Sequence, residues 1–206
     1  KGFWSSSFTI HGGRDLFIPI ASYNLFGNSN FALIKFFYIS LILPIKLLSI
    51  FLAYQISRIG NFDKNYKIII FIISCPFLLS LSSYDQVYYF SIRDLFVLIF
   101  FIIFIQIFLK KSNLVLIFLL SLVSITSLLF HYDTGIYLNF ILFFFSLYLL
   151  LSREFKTFFI LYFSFSINFL FFYFFFGGIE IINFFDQIKH IIQNIDKIHG
   201  LEFPQP

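Results

Sequence analysis

Charged residues and methionine are both scarce in this 206-residue sequence. Lys, Arg, Asp and Glu make up 12% of it, whereas an ordinary soluble domain is about a quarter charged. With 60% hydrophobic residues and a mean hydropathy of +0.93, the sequence predicts an integral membrane protein. Methionine is absent and the first residue is Lys1, so we expect an internal fragment of a longer polytopic protein.

Cysteine is nearly absent as well. Cys75 is the single cysteine, which excludes an internal disulfide and a cysteine-based metal cluster. The sequence has no nucleotide-phosphate loop, no Gly-x-Ser-x-Gly motif and no His-Glu-x-x-His motif, so nothing supports cytosolic nucleotide chemistry or a nucleic-acid partner. No His or acidic cluster at ligand spacing supports a divalent metal, and we expect no cofactor.

Phenylalanine is abundant, with 37 residues, and the sequence is dominated by long apolar runs. Such continuous runs predict helices, because every backbone polar group must be satisfied within the bilayer and barrel strands would alternate. We therefore expect an all-α bundle of about six transmembrane helices, packed by large side chains. The six runs are residues 31–56, 68–83, 95–109, 114–130, 136–151 and 157–176.

The segments on either side of the six runs are more polar. Residues 1–30 predict an exoplasmic loop that contains a short interfacial helix. After the glycine pair at 177–178, apolar residues recur every three or four positions with polar residues between them. This spacing predicts an amphipathic helix over 179–199 that lies in the outer interface or caps the bundle.

Lys and Arg are unevenly distributed between the alternating hinges of the bundle. Cytoplasmic loops carry an excess of these residues, so the hinge set rich in them is predicted to be cytoplasmic. The other set contains only Arg14 and Arg93 and is predicted to be exoplasmic, or periplasmic in a bacterial inner membrane. The basic residues of the cytoplasmic set are Arg58, Lys64, Lys67, Lys110, Lys111, Arg153 and Lys156.

Two polar clusters on the predicted outer face contain both arginine and aspartate. In the first, His11 and a glycine pair precede Arg14 and Asp15; in the second, Arg93 and Asp94 directly precede an apolar run. Either carboxylate could act as a general base, and either guanidinium could bind phosphate. Both aspartates are equally suited to cap the helix that follows them. The four letters Arg-Asp-Leu-Phe occur in both clusters, which indicates paired half-sites or a chance match.

The third outer cluster joins His131, Tyr132 and Asp133 to the following Thr-Gly pair. Histidine beside two acceptors is suited to acid–base chemistry or to orienting a ligand. An interfacial turn explains the same residues, because Tyr favours the headgroup layer and Asp-Thr-Gly is favourable in turns.

Lys46 stands apart from these clusters because it falls within the first predicted span. A lone ammonium group there costs about 2.5–3.5 kcal/mol, so it should be paired or face a wet cavity. Alternatively, Pro44 breaks the helix and Lys46 extends to the headgroup layer.

The three outer clusters resemble part of the GT-C superfamily of membrane glycosyltransferases. The resemblance implies many spans, an exoplasmic active site, a polyprenyl-phosphate-linked sugar donor and a catalytic acid beside an interfacial helix. Asp15 matches that acid, and an aspartate of the second outer loop, Asp85 or Asp94, also has counterparts. The resemblance further implies that residues of the outer clusters bind the substrate and the departing polyprenyl phosphate. We take these residues to be His11, Arg14, Arg93, His131 and Asp133, with the phosphate held by Arg14, Arg93 or a histidine.

Two other functions are compatible with the same membrane topology. A polymerase or ligase of lipid-linked saccharides would depend on Arg and His more than on Asp. A transporter, or a structural membrane subunit, is the non-enzymatic alternative. A transporter should contain interrupted helices and polar groups at the bilayer midplane, and in the sequence only Lys46 with Pro44 offers these. The sugar and the acceptor are not indicated.

Overall fold

The computed structural model of the chain describes residues 20, 23–25, 27, 40–60, 62–80, 91–110 and 113–194. These residues contain no strand, so the prediction of an all-α fold is confirmed for this part of the chain. The helices are α1 (Ile42–Ser57), α2 (Lys64–Ser80), α3 (Ser91–Lys110), α4 (Leu114–Phe130), α5 (Tyr132–Leu151), α6 (Phe155–Phe176) and α7 (Gly178–Gln193).

Each of the six predicted spans overlaps one of the helices α1 to α6, although only α4 has the predicted bounds at both ends. Among the described helices, α5 and α6 are long and apolar enough to cross a membrane. Helices α1 and α4 are apolar but shorter. By length and composition the described residues therefore contain two candidate membrane helices, and the count of six spans stays a prediction.

Most helices pack beside the helix that comes before or after them in the chain. Helix α1 contacts α2 and α3, α4 contacts α3, α5 and α6, and α5 contacts α6. Because the connections from α3 through α6 are only a few residues long, these neighbours run antiparallel. The ends of α4 and α6 therefore lie at the same end of the bundle as the starts of α3 and α5. The start of α1 and the end of α2 lie at this end too, because Lys46 bonds to Leu79 and its charge acts on Asp94.

Large aromatic side chains fill much of the space between α3 and α5. The rings of Phe100 and Phe104 on α3 are stacked, with centroids 5.9 Å apart. The ring of Phe145 on α5 packs edge-on against Phe104 at 5.1 Å. This packing agrees with the prediction that large interdigitating side chains hold the bundle together.

The crossing of α4 and α5 depends instead on a small residue. A Cβ atom at Gly135 would overlap the backbone of Leu128 on α4. Glycine at a helix interface lets two backbones approach closely. This contact explains why α5 begins at Tyr132 rather than at residue 136 as predicted. The interpretation of Asp133 to Gly135 as a turn was wrong, because these residues form the first part of α5.

Helix α7 packs onto the rest of the bundle. Ile181, Phe184 and Ile191 on its apolar face are buried, and they form a cluster with Leu129 of α4 and Tyr132 of α5. Asp186, Lys189 and His190 on its polar face are exposed, whereas Glu180 in its first turn is buried. Of the two predicted placements, the packing favours a helix that caps the bundle. The predicted continuation over 195–199 lies outside the described residues.

Candidate functional site

Arg93 and Asp94 form an ion pair in the first turn of α3. The Arg93 Nε atom lies 3.5 Å from Asp94 Oδ1. The Asp94 side chain is only 16% exposed, while that of Arg93 is 35% exposed. A carboxylate in the first turn of a helix is stabilised by the helix dipole and by backbone N–H groups that lack partners within the helix. The ion pair thus lies at the start of α3, and its solvent-exposed part is mainly the Arg93 side chain.

Opposing effects act on the protonation of Asp94, which lies just before the predicted span. Burial disfavours the charged carboxylate and raises the pKa of Asp94. The charge and hydrogen bond of Arg93, together with the charge of Lys46, lower it, but burial is the larger effect. Asp94 is therefore a carboxyl group whose pKa lies above its ordinary value, as is common for general bases.

Lys46 reaches this site from the second turn of α1. Its ammonium group donates a hydrogen bond to the carbonyl oxygen of Leu79, in the last turn of α2. The last carbonyls of a helix lack partners within the helix and carry its negative dipole end, so they attract a cation. The positive charge of Lys46 also acts on Asp94. Of the alternatives raised by the sequence, the structure shows a paired lysine.

The helical conformation is interrupted by one turn residue immediately before α1. Ser40 is helical, Leu41 forms a turn, and α1 begins at Ile42. Pro44 has no N–H to donate to the carbonyl oxygen four residues earlier, which accounts for an interruption at this position. The interruption lies at the same end of the bundle as Lys46, Leu79 and Asp94.

His131 is the single residue between α4 and α5. Its backbone N–H donates to the Ser127 carbonyl oxygen at 2.7 Å, and its own carbonyl oxygen accepts from the Gly135 N–H at 2.9 Å. The side chain is 3% exposed, and Nδ1 lies 3.2 Å from Thr134 Oγ1. This burial favours a positioning role in the helix connection over direct contact with a ligand. Asp133, by contrast, is exposed in the first turn of α5.

The second and third outer clusters lie at the same end of the bundle. The rings of Phe96, two residues after Asp94, and Phe130, directly before His131, have centroids 6.1 Å apart. This contact joins the start of α3 to the end of α4. The structure thus places Lys46, Arg93 and Asp94 in one group and brings the His131–Asp133 segment to the same end.

The first outer cluster falls on a part of the chain that the structure does not describe. His11, Arg14 and Asp15 lie outside the described residues, as does Asp85. From the predicted interfacial helix, Ile20 and residues 23–25 are helical, and the side chains of Ile20, Tyr23 and Leu25 are exposed. The roles of His11, Arg14 and Asp15 stay predictions.

The described residues contain no group of three or more His, Cys, Asp or Glu side chains that could hold a metal ion. Cys75 lies half-buried among the apolar residues where α1, α2 and α3 meet.

Two asparagines, Asn168 buried and Asn139 half-buried, form polar contacts that the sequence interpretation missed. Asn139 on α5 and Asn168 on α6 donate to backbone carbonyl oxygens of α4. The signal was present in the sequence, because both lie inside apolar runs, where an amide needs a partner. The serines that accompany them, at positions 121, 124 and 127, recur every three residues and so share one face of α4.

Comparison of the chain with protein-family models, with curated proteins and with solved structures finds no match.

Proposed function

We propose that this chain is part of a polytopic membrane glycosyltransferase, which transfers a sugar from a polyprenyl-phosphate donor on the exoplasmic face. The observation that carries the proposal is the grouping of Asp94 with Arg93 and Lys46. A half-buried carboxylate with a raised pKa lies beside two cations at one end of a helical bundle. This combination suits a reaction in which a carboxylate accepts a proton from the attacking group and cations stabilise a departing phosphate.

The proposed membrane topology has six spans, one within each of the helices α1 to α6, and the span in α3 begins after Asp94. In the most apolar parts of α5 and α6, only 39% and 17% of the residues are buried within the bundle, so much of the apolar surface of each helix is not covered by the described part of the chain. A soluble protein would bury such helices. The basic residues Arg58, Lys64, Arg153 and Lys156 lie in or beside the connections at the end opposite Asp94, which supports an exoplasmic position for Asp94.

In the proposed reaction, Asp94 accepts the proton of an acceptor hydroxyl, with Asp15 as a second carboxylate at the site. The acceptor oxygen attacks the anomeric carbon of the sugar from the face opposite the phosphate. The bond between that carbon and the phosphate oxygen breaks, and the bonding electrons leave with the polyprenyl phosphate. Arg93 and Lys46 stabilise the departing phosphate, together with His11 and Arg14. Asp133 contacts the saccharide at the same end of the bundle, and His131 positions Asp133.

The proposal is tested by measuring the release of polyprenyl phosphate from a radiolabelled polyprenyl-phosphate hexose, in membranes from cells expressing the protein. Asp94→Asn keeps the size of the side chain and removes the base. It is expected to lower the rate at least a hundredfold, the lower end of the usual range for general-base catalysis. Asp63→Asn is the matched control, because Asp63 is exposed at the opposite end of the bundle.

Other outcomes separate the remaining functions. If Asp94→Asn and Asp15→Asn both leave release intact while Arg93→Gln abolishes it, the arginine-dependent polymerase or ligase is favoured. If the wild-type protein releases no polyprenyl phosphate from any donor of this class, the glycosyltransferase proposal is wrong.

A further inference from the structure

A cavity lies between α5 and α6, the two helices that qualify as membrane-crossing by length and composition. Its volume is about 150 Å³, and its lining comes from the middle turns of both helices. Most of that lining is apolar and includes Leu142, Leu161 and Phe165. Three polar side chains also line it: Asn139, Ser146 and Tyr162. Convergent polar groups in an otherwise apolar cavity are typical of ligand sites.

The hydrogen-bonding capacity of the cavity follows from the bonds these groups already make. Asn139 Nδ2 donates to the carbonyl oxygens of Gly135 at 2.7 Å and Ser124 at 3.3 Å. Both amide hydrogens are thus used, and the Asn139 Oδ1 atom is left to accept. Ser146 Oγ donates to the Phe143 carbonyl oxygen at 2.7 Å, so its oxygen can also accept.

The hydroxyl group of Tyr162 supplies a hydrogen-bond donor to the cavity. Its hydroxyl lies 3.4 Å from Ser146 Oγ, well beyond the usual distance of about 2.7–2.8 Å between two hydroxyl oxygens. A bound hydroxyl group could therefore accept from Tyr162 and donate to Asn139 or Ser146 at the same time.

The size and charge of the cavity limit what it can hold. None of the described residues that line it is charged, so an ionic ligand would be left without a counter-charge. An apolar cavity of this volume accommodates benzene, which sets the size at about six to eight non-hydrogen atoms. Phe143 and Tyr162 at its edge are 52% and 47% exposed, so the cavity opens sideways between the two helices.

From this geometry we infer that the cavity binds a small neutral alcohol or phenol, which enters laterally from the lipid phase. The apolar body of the ligand packs against Leu142, Leu161 and Phe165. Its hydroxyl group accepts from Tyr162 and donates to Asn139 Oδ1. The cavity lies about halfway along α5 and α6, away from the Asp94 group at one end of the bundle. Its ligand binding does not depend on the proposed glycosyltransferase activity.

Binding is tested with 4-fluorophenol and the purified protein in phosphatidylcholine nanodiscs, observed by ¹⁹F NMR titration. The wild-type protein should show a saturable component above the partitioning measured with empty nanodiscs. Tyr162→Phe should weaken this component about fivefold to tenfold, the size expected for one lost hydrogen bond. Leu161→Phe should abolish it by filling the cavity.

Two controls separate recognition of the hydroxyl group from general effects. Tyr148→Phe removes an exposed hydroxyl from α5 outside the cavity and should leave binding unchanged. Fluorobenzene, which has no hydroxyl group, should bind the wild-type protein and Tyr162→Phe equally. The inference is overturned if no saturable component exceeds that of empty nanodiscs. It is also overturned if Tyr162→Phe weakens 4-fluorophenol binding no more than Tyr148→Phe does.

Discussion

Asn168 on α6 donates a hydrogen bond of 2.7 Å to Ser121 Oγ on α4. The same amide nitrogen also donates to the Phe118 carbonyl oxygen at 3.2 Å, which accepts a further bond of 2.8 Å from Ser121 Oγ. An asparagine of α6 and a serine of α4 thus share one backbone oxygen. The contact ties the two helices together inside the bundle.

The same arrangement is repeated two turns further along α4. The Ser124 carbonyl oxygen accepts from Ser127 Oγ at 2.7 Å and from Asn139 Nδ2 of α5 at 3.3 Å. Helix α4 is therefore tied to α6 by Asn168 and to α5 by Asn139. Hydrogen bonds of this kind hold helices together where the surroundings are apolar.

Replacing Asn168 by leucine should destabilise the bundle by about 0.6 kcal/mol and by at most about 1.7 kcal/mol, the average and the maximum found for interhelical hydrogen bonds by double-mutant cycles in a membrane protein. Unfolding by sodium dodecyl sulfate in mixed micelles measures the change. Asn183→Leu on α7 is the control, since within the described residues Asn183 makes no hydrogen bond to α4. Equal stability of Asn168→Leu and the wild-type protein would contradict the role given to this contact.

Gly135→Ala should destabilise the protein by about 1–3 kcal/mol, because its Cβ atom would overlap the backbone of Leu128 and force α4 and α5 apart. Gly178→Ala is a matched control. A Cβ atom there would meet the far end of the Tyr173 side chain, which can move aside, so a smaller loss is expected. The comparison is made by measuring the free energy of unfolding of both variants. A larger loss of stability for Gly178→Ala than for Gly135→Ala would contradict the close crossing of α4 and α5.

The rate of sugar transfer should fall at low pH as Asp94 becomes protonated, since a general base must be deprotonated to act. Burial raises the pKa of Asp94, and Arg93 lowers it. Arg93→Gln should therefore raise this pKa further and move the acid limb of the pH–rate profile to higher pH. Arg58→Gln, at the other end of α1, serves as control. A limb that moves to lower pH in Arg93→Gln would contradict the assignment of Asp94 as the base.

Lys46→Met should raise the KM for the polyprenyl-phosphate donor about tenfold, because one charge-assisted hydrogen bond to the phosphate is lost. Its kcat should change less. Lys156→Met, at the opposite end of the bundle, should leave KM unchanged. If the two variants have the same KM, Lys46 serves only as a partner for Leu79 at the end of α2.

Much of the helical framework could be predicted from local sequence. Helix α4 has the predicted bounds, because Asn113 caps its start with a 3.0 Å bond from the Val115 N–H to Oδ1. Helix α6 ends at Phe176 as predicted, since Gly177 adopts a φ of 90°, which favours glycine.

Contacts between helices could not be predicted in the same way. The early start of α5 depends on the Gly135–Leu128 crossing, and no local pattern marks that crossing. The grouping of Lys46 with Leu79 and Asp94 depends on which helices are neighbours. Apolar periodicity identifies the helices but does not specify their neighbours.

The account depends on the Asp94 end of the bundle facing outward, and cysteine labelling tests this most directly. Asp133→Cys and Glu154→Cys place exposed thiols at opposite ends of α5, in a Cys75→Ala background that removes the native thiol. Intact cells are treated with a membrane-impermeant maleimide, and permeabilised cells report total reactivity. The account predicts that Asp133→Cys is labelled in intact cells and that Glu154→Cys is labelled only after permeabilisation. The reverse pattern, or labelling of both in intact cells, would contradict an exoplasmic site.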